Sequence, residues 1–287
     1  SLKHIRNTDF DYVLILSGDQ LYQMDFADII DNHIHQKADL TIATIPVGER
    51  EAPEFGILKT NETKVITSFI EKPAKEILPQ WESDTGPEMQ TQGRNYLASM
   101  GIYVFNRSLL FDELQNEYKE AKDFGKEIIP QSIHKHKVIS YQYDGYWTDI
   151  GNIYSFFEAN LALTQDIPPF NLFDNNKMVY SRARMLPPAK ISGSNLNNTL
   201  LAEGSIIKAE KISNSVIGIR SRIGTGTIIE GCYLMGSDFY ETLEEIAHNF
   251  KNKIPPVGIG DNCHLKNVIV DKGCRIGNNV IIKGGNH

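Results

Sequence analysis

Hydrophobic positions along this chain follow two rhythms that change near residue 166. In the first part, apolar runs alternate with helical spacings. Val13 to Leu16 is a continuous apolar run that stops at Ser17-Gly18-Asp19, and its lack of alternation predicts a central strand buried on both faces and paired in parallel. Asp25 then precedes Phe26, Ile29, Ile30 and Ile34, the spacing of an N-capped helix. Leu40 to Val47 reads as the next strand, closed by Pro46, so that strand, helix and strand form a βαβ unit with a right-handed crossover. Phe55 to Leu58 and Val65 to Ile70 predict two short strands with Asn61 turning between them. Residues 74–94 are polar and punctuated by Pro79, Gly86, Pro87 and Gly93, which predicts a mobile excursion. Tyr96 to Phe105 is again strand-like, Leu109 to Tyr118 helical, Asp123 to Glu127 a short helical piece stopped near Pro130, and Val138 to Tyr143 a strand. A helix from about Tyr154 to Leu163 closes this domain.

Beyond it the rhythm shortens. Residues 166–190, with Pro168, Pro169, Pro187 and Pro188, read as a linker. Apolar residues then recur at Leu200, Ile206, Ile212, Ile217, Ile223 and Ile229, and again at Ile259, Leu265, Val270, Ile276 and Ile282. Spacings of five or six, with Gly218, Gly224, Gly260 and Gly277 following, are the hexapeptide signature of a parallel β-helix. Such rungs cannot bury their apolar faces singly and must stack. Asp238 to Lys253 breaks the period and spaces Leu243, Ile246, Ala247 and Phe250 helically. An insertion of this kind either serves contacts or packs on its own rungs, and packing is the favoured reading. The expected organisation is an α/β domain over 1–165, a linker over 166–190 and a β-helix over 191–287 with its helical insertion at 238–253.

Composition narrows the chemistry. Thirty-six carboxylates against twenty-nine Lys and Arg, with no basic block, make nucleic acid an unsuitable partner. Three cysteines, odd in number and not spaced as metal ligands, read as small interior residues in a reducing cytoplasm. No apolar run reaches the length of a membrane span. Asp19 stands at the carboxyl end of its strand, where open α/β sheets bind ligands, and it either holds a hard divalent cation or caps the turn. Glu71 and Lys72, ahead of Pro73, present a carboxylate and a cation together. They suit a ligand with hydroxyls and a phosphate, or form a surface ion pair. Ser99, near Gly101, is either a ligand contact or a satisfied core hydroxyl. Asp149, between Trp147 and Gly151, is a second carboxylate for the crevice. Two carboxylates suffice for one magnesium, which keeps waters and phosphate oxygens as its other ligands.

The succession SGDQLY, FIEKP, YLASMGIYVF, DFGKEIIP, YWTDIG, LPPAKI, SVIG, SRIG, MGSDFYET, PVGIG and IVDKGCRIG resembles the glucose-1-phosphate adenylyltransferases, the ADP-glucose pyrophosphorylases of glycogen and starch synthesis. The resemblance covers essentially the whole chain. Several motifs are shared among sugar nucleotidylyltransferases, whereas the MGSDFYET insert and the LPP linker look particular to the ADP-glucose branch. It implies a Rossmann-like nucleotidyltransferase domain followed by a left-handed parallel β-helix. It also implies adenylyl transfer from ATP to glucose 1-phosphate, giving ADP-glucose and pyrophosphate, with magnesium. Matched motif by motif, Asp19 is implied to be catalytic and metal-binding and Asp149 the second metal ligand. Lys72 would hold the sugar phosphate, Glu71 contact the sugar and Ser99 face the glucose. Family members are tetramers regulated by anionic metabolites. Arg184 and Lys272 match effector-binding positions of plant-type members, and Arg182 is a neighbouring candidate.

Two departures stand out. Gln20 replaces the His common after the Asp, which questions a contact made by that neighbour. The family's opening strand and its G-G-x-G-x-R phosphate-cradling loop have no counterpart here, and both ends look cut. The chain by itself is therefore expected not to turn over. Two other readings keep the sequence pattern: a transferase using UTP or dTTP, and a non-catalytic regulatory or structural subunit. A β-helix acyltransferase fits less well, because the rungs show no catalytic His in a matching context and the first domain would go unused.

Overall fold

The computed structural model describes residues 9–112, 124–176 and 178–285, and its contacts divide the chain into two compact units, Ser1–Trp147 and Thr148–His287. The first unit carries β1 (Tyr12–Ile15), β2 (Gln20–Tyr22), α1 (Phe26–His35), β3 (Leu40–Val47), β4 (Gly56–Thr60), β5 (Ile66–Glu71), α2 (Pro87–Thr91), β6 (Tyr96–Asn106), α3 (Arg107–Asp112), α4 (Ile129–Lys135) and β7 (Val138–Gln142). Strand β8 (Trp147–Asp149) runs across the boundary.

The sheet of the first unit runs β5-β4-β6-β3-β7, with β1 also on β6. Every residue of β3 is buried, as its apolar sequence requires. It pairs antiparallel with β6 and parallel with β7. Pro46 lies inside β3 rather than closing it. It faces Leu97 of β6, beyond the point where β7 stops pairing at Thr44, so its missing N–H deprives no partner strand. Asp25 caps α1 by accepting from Ala27 N at 2.9 Å, and the helix buries Ile29 and His33. Asn61 turns β4 into β5 as expected, its Oδ1 accepting from the amides of Thr63 and Val65.

Several expectations change. Strand β1 is half-exposed, and among the described residues it pairs only with β6, antiparallel at Val13–Phe105. An apolar run reports burial, but the direction of pairing depends on a partner far along the chain. For the same reason β1, α1 and β3 do not make adjacent parallel strands, since β6 lies between β1 and β3. Residues 74–94 are not a loose excursion. They form a 3-10 turn, Lys75–Trp81, that buries Leu78, and then α2, while the Ser83 hydroxyl donates to Leu58 O at 2.9 Å. Pro130 does not stop a helix either. A helical segment, Phe124–Ile128, leads into α4 with Pro130 in its first turn, where a missing N–H costs nothing. The stretches of the expected helices at 113–118 and at Asp123 lie outside the described residues.

In the second unit, α5 (Ile153–Ala162) is capped by Asn152 accepting from Ser155 N at 2.9 Å. Sequence spacing assigns this helix to the first domain, but its contacts are with rung strands Lys211–Ile217 and Tyr233–Leu234, and the Phe156 ring lies 5.4 Å from Tyr233. No helix or strand forms among the described residues from 166 to 189. The rungs then pair in parallel. Ile207 sits beside Ile223 and Ile212 beside Ile229, and across the insertion Ile223 meets Ile259 and Ile229 meets Leu265. These residues are buried in one stacked core with Cys232 and Cys263. The period is displaced at two positions: Ile207, not Ile206, is fully buried, because alternation along the strand turns Ser205, Ile207 and Ala209 inward together, and Leu201, not Leu200, packs on the core beside Ile217. A Cβ on Gly224 would come 2.5 Å from Gly260 C, so the rung corners accept only glycine there. The insertion forms α6 (Leu243–Lys251).

Candidate active site

The turn Ser17-Gly18-Asp19 joins β1 to β2, and the Ser17 hydroxyl donates to Asp19 Oδ1 at 2.5 Å while the Asp19 side of the turn stays exposed. Strand β6 bulges opposite this turn. Its register against β3 slips between Ile42 and Thr44, and Gly101 in the bulge takes φ +69°. A Cβ on Gly101 would stand 3.3 Å from Gln20 Nε2 and 3.4 Å from Ser17 Cβ, in a conformation that only glycine adopts freely. The bulge therefore rests directly on the acidic turn. Ser99 enters it half-buried, its Oγ 3.4 Å from the Gly101 amide that donates to it.

Gln20 extends the cluster. Its Oε1 accepts from Trp147 Nε1 at 3.1 Å, and the Trp147 ring stands edge-on to Phe55 at 5.2 Å between centroids. The Phe55 carbonyl in turn accepts from Lys72 N at 3.0 Å. That bond holds Lys72 at φ +48°, exposed, just past Glu71 at the end of β5. Asp19, Ser99, Glu71 and Lys72, far apart in sequence, are thus linked through Gln20, Trp147 and Phe55. Nearby, the Tyr143 hydroxyl donates to Gln23 O at 2.9 Å and fixes the segment after β2. Burial pushes the phenols of Tyr22 and Tyr143 up, so both remain neutral in this wall.

Asp149 belongs to the second unit, where its Oδ1 accepts from Gly151 N at 2.9 Å. Sequence reasoning treated Gln20 only as a departure and missed it as the bridging residue. An amide next to an Asp carries no signal until Trp147 is seen against it.

Residues 1–166, more than half of the chain, match the nucleotidyl transferase family. The chain belongs to that family. Residues 184–287 match the GLGC left-handed parallel β-helix domain, so this nucleotidyl transferase carries a left-handed β-helix behind its transferase domain. The two together are consistent with sugar-phosphate nucleotidyl transfer. Within the β-helix unit of the transferase, Arg182 and Arg184 are exposed on a stretch without helix or strand. Lys272 pairs with Asp238, at 3.1 Å to one carboxylate oxygen and 3.3 Å to the other. No helix among the described residues is long and apolar enough to cross a membrane.

Proposed function

We propose that this nucleotidyl transferase catalyses adenylyl transfer from ATP to glucose 1-phosphate, giving ADP-glucose and pyrophosphate for the synthesis of storage glucan in the cytoplasm. The observation that supports the reading is the Gln20–Trp147–Phe55 bridge in a nucleotidyl transferase domain, with Asp19 next to Gln20 in the chain and the Lys72 amide on the Phe55 carbonyl. Lys72 supplies a point charge to the sugar phosphate, Glu71 accepts from sugar hydroxyls and Ser99 offers a hydroxyl to the glucose. An oxygen of the sugar phosphate forms the new bond to the α-phosphorus as the bond to pyrophosphate breaks. No protein nucleophile is needed, and catalysis is positioning and charge neutralisation.

Among the described residues no group of three His, Cys, Asp or Glu could form a metal cage by itself. Asp19 and Asp149 each offer a carboxylate, an oxygen donor set that suits magnesium, which retains waters and takes phosphate oxygens. Magnesium, when bound, neutralises charge on the phosphates. Arg182, Arg184 and Lys272 are proposed to receive an anionic metabolite, with Lys272 leaving Asp238 to do so, in a homotetramer.

The test is pyrophosphate release from glucose 1-phosphate with magnesium and each of ATP, UTP and dTTP, using this chain and one extended at its amino end. Turnover with ATP alone supports the proposal, and turnover with UTP or dTTP instead overturns the choice of nucleotide. Binding of glucose 1-phosphate without turnover in either chain would favour a regulatory subunit. Lys72→Ala should weaken glucose 1-phosphate at least about tenfold, the loss of one charged contact, and leave ATP nearly unchanged. Equal weakening of both would remove Lys72 from the sugar phosphate.

A further inference from the structure

Helix α6 is finished at both ends by its own chain. Thr242 and Glu245 form a reciprocal capping box, with Thr242 N donating to Glu245 Oε2 at 2.8 Å and Glu245 N to Thr242 Oγ1 at 3.2 Å. At the other end Asn252 N donates to His248 O, and Lys253 takes φ +57° to leave the helix. One side of α6 serves its own β-helix: Ile246 is half-buried, and Asn249 Nδ2 donates to Glu241 Oε1 at 2.9 Å.

Another side is left exposed among the described residues. Leu243, Ala247 and Phe250 recur at i, i+4 and i+7 and make one stripe. Leu243 is 86% exposed and Phe250 84%, with Ala247 also exposed between them. A capped helix gains nothing for its own stability from two large apolar side chains in water, and contiguous exposed apolar patches mark interaction surfaces. The charges name the occupant. Glu244 and Lys251 are exposed along one edge of this stripe, acidic in the first turn and basic in the last. Turned end for end about Ala247, the stripe meets a copy of itself. Leu243 then lies against Phe250 of the copy, the small Ala247 residues meet at the centre, and Glu244 faces Lys251 along the same edge, twice.

We infer that α6 is a self-association surface, pairing antiparallel with α6 of a second copy of this chain about a two-fold axis. A two-fold interface requires one patch complementary to itself, and the order Leu243-Glu244, Ala247, Phe250-Lys251 meets that requirement in both shape and charge. The opposite dipoles of antiparallel helices add to the same preference.

Sedimentation of the full chain over a range of concentrations tests this without reference to catalysis. Association should be concentration-dependent, and Phe250→Asp should weaken it by at least about tenfold while leaving the melting temperature near that of the parent, since Phe250 is exposed. Glu244→Lys and Lys251→Glu should each loosen association, because each sets like charges together. The doubly substituted chain, and an equimolar mixture of the two single variants, should restore it. A chain that stays monomeric at all concentrations overturns the inference. So does association that Phe250→Asp leaves intact, or single charge variants that neither their combination nor their mixture rescues.

Discussion

His33 is 1% exposed, with Nδ1 2.7 Å from Thr41 Oγ1, Nε2 3.1 Å from Asn106 Oδ1 and the Tyr12 ring edge-on to it. Burial pulls its imidazole below the ordinary value, against the opposing pull of the Asn106 bond and the Asp39 charge. The unfolded chain therefore takes up the proton first. The stability that His33 contributes is complete above about pH 6.5 and is lost as pH falls toward the folded-state value, at no more than about 1.4 kcal/mol per pH unit for one proton. Melting temperatures compared between about pH 7.5 and about pH 5 should fall further for the parent than for His33→Gln. Parallel decline in the two would assign the acid sensitivity elsewhere.

Glu241 ties the helical insertion to the rungs. Its side chain is 1% exposed and binds Arg275 Nη2 at 2.7 Å, while Oε1 also accepts from Asn249 and Oε2 from Val257 N at 2.7 Å. Burial pushes the carboxyl up, but the bonds from Val257, Arg275 and Asn249 outweigh it and hold Glu241 below its ordinary value. Glu241→Ala removes all of these acceptors and leaves Arg275 without this carboxylate. The expected cost is about 3 kcal/mol, with faster amide exchange in α6 than in the rungs. Protection of α6 equal to that in the parent would show that other contacts hold the insertion. The favoured sequence reading, an insertion packed on its own rungs, describes this anchored side of α6. The outward stripe at Leu243 and Phe250 fits the other reading, contact with a partner.

The two units have separate cores. Buried clusters around Ile45 and Met100 and around Leu40 and Phe105 lie in the first, and the stacked cluster from Ile207 to Leu265 lies in the second. Residues 148–287 should accordingly fold alone and melt cooperatively. The contact of Phe156 with Tyr233 makes α5 part of that unit. A chain begun at residue 167 should be less stable than one begun at 148 by about 2 kcal/mol, roughly the burial of one large apolar side chain. Equal melting temperatures would return α5 to the first domain.

The β-helix was legible because its signal is local and repeated. Isoleucines five or six residues apart are demanded by rung after rung, and glycines such as Gly218, Gly224 and Gly260 by the corners where neighbouring backbone passes close, so the period survives even where Ile206 and Ile207 exchange roles. The strands of the first unit were legible for the same reason, as apolar runs bounded by breakers. Their partners were not. Whether Val13 meets a parallel or an antiparallel neighbour is decided by Phe105, and where α5 belongs is decided by Tyr233. At the site, the residue types of Asp19, Ser99, Glu71 and Lys72 suggested chemistry on their own. Only the folded chain sets Gln20 against Trp147, and Lys72 against Phe55, because those contacts join segments whose separation in sequence carries no periodic trace.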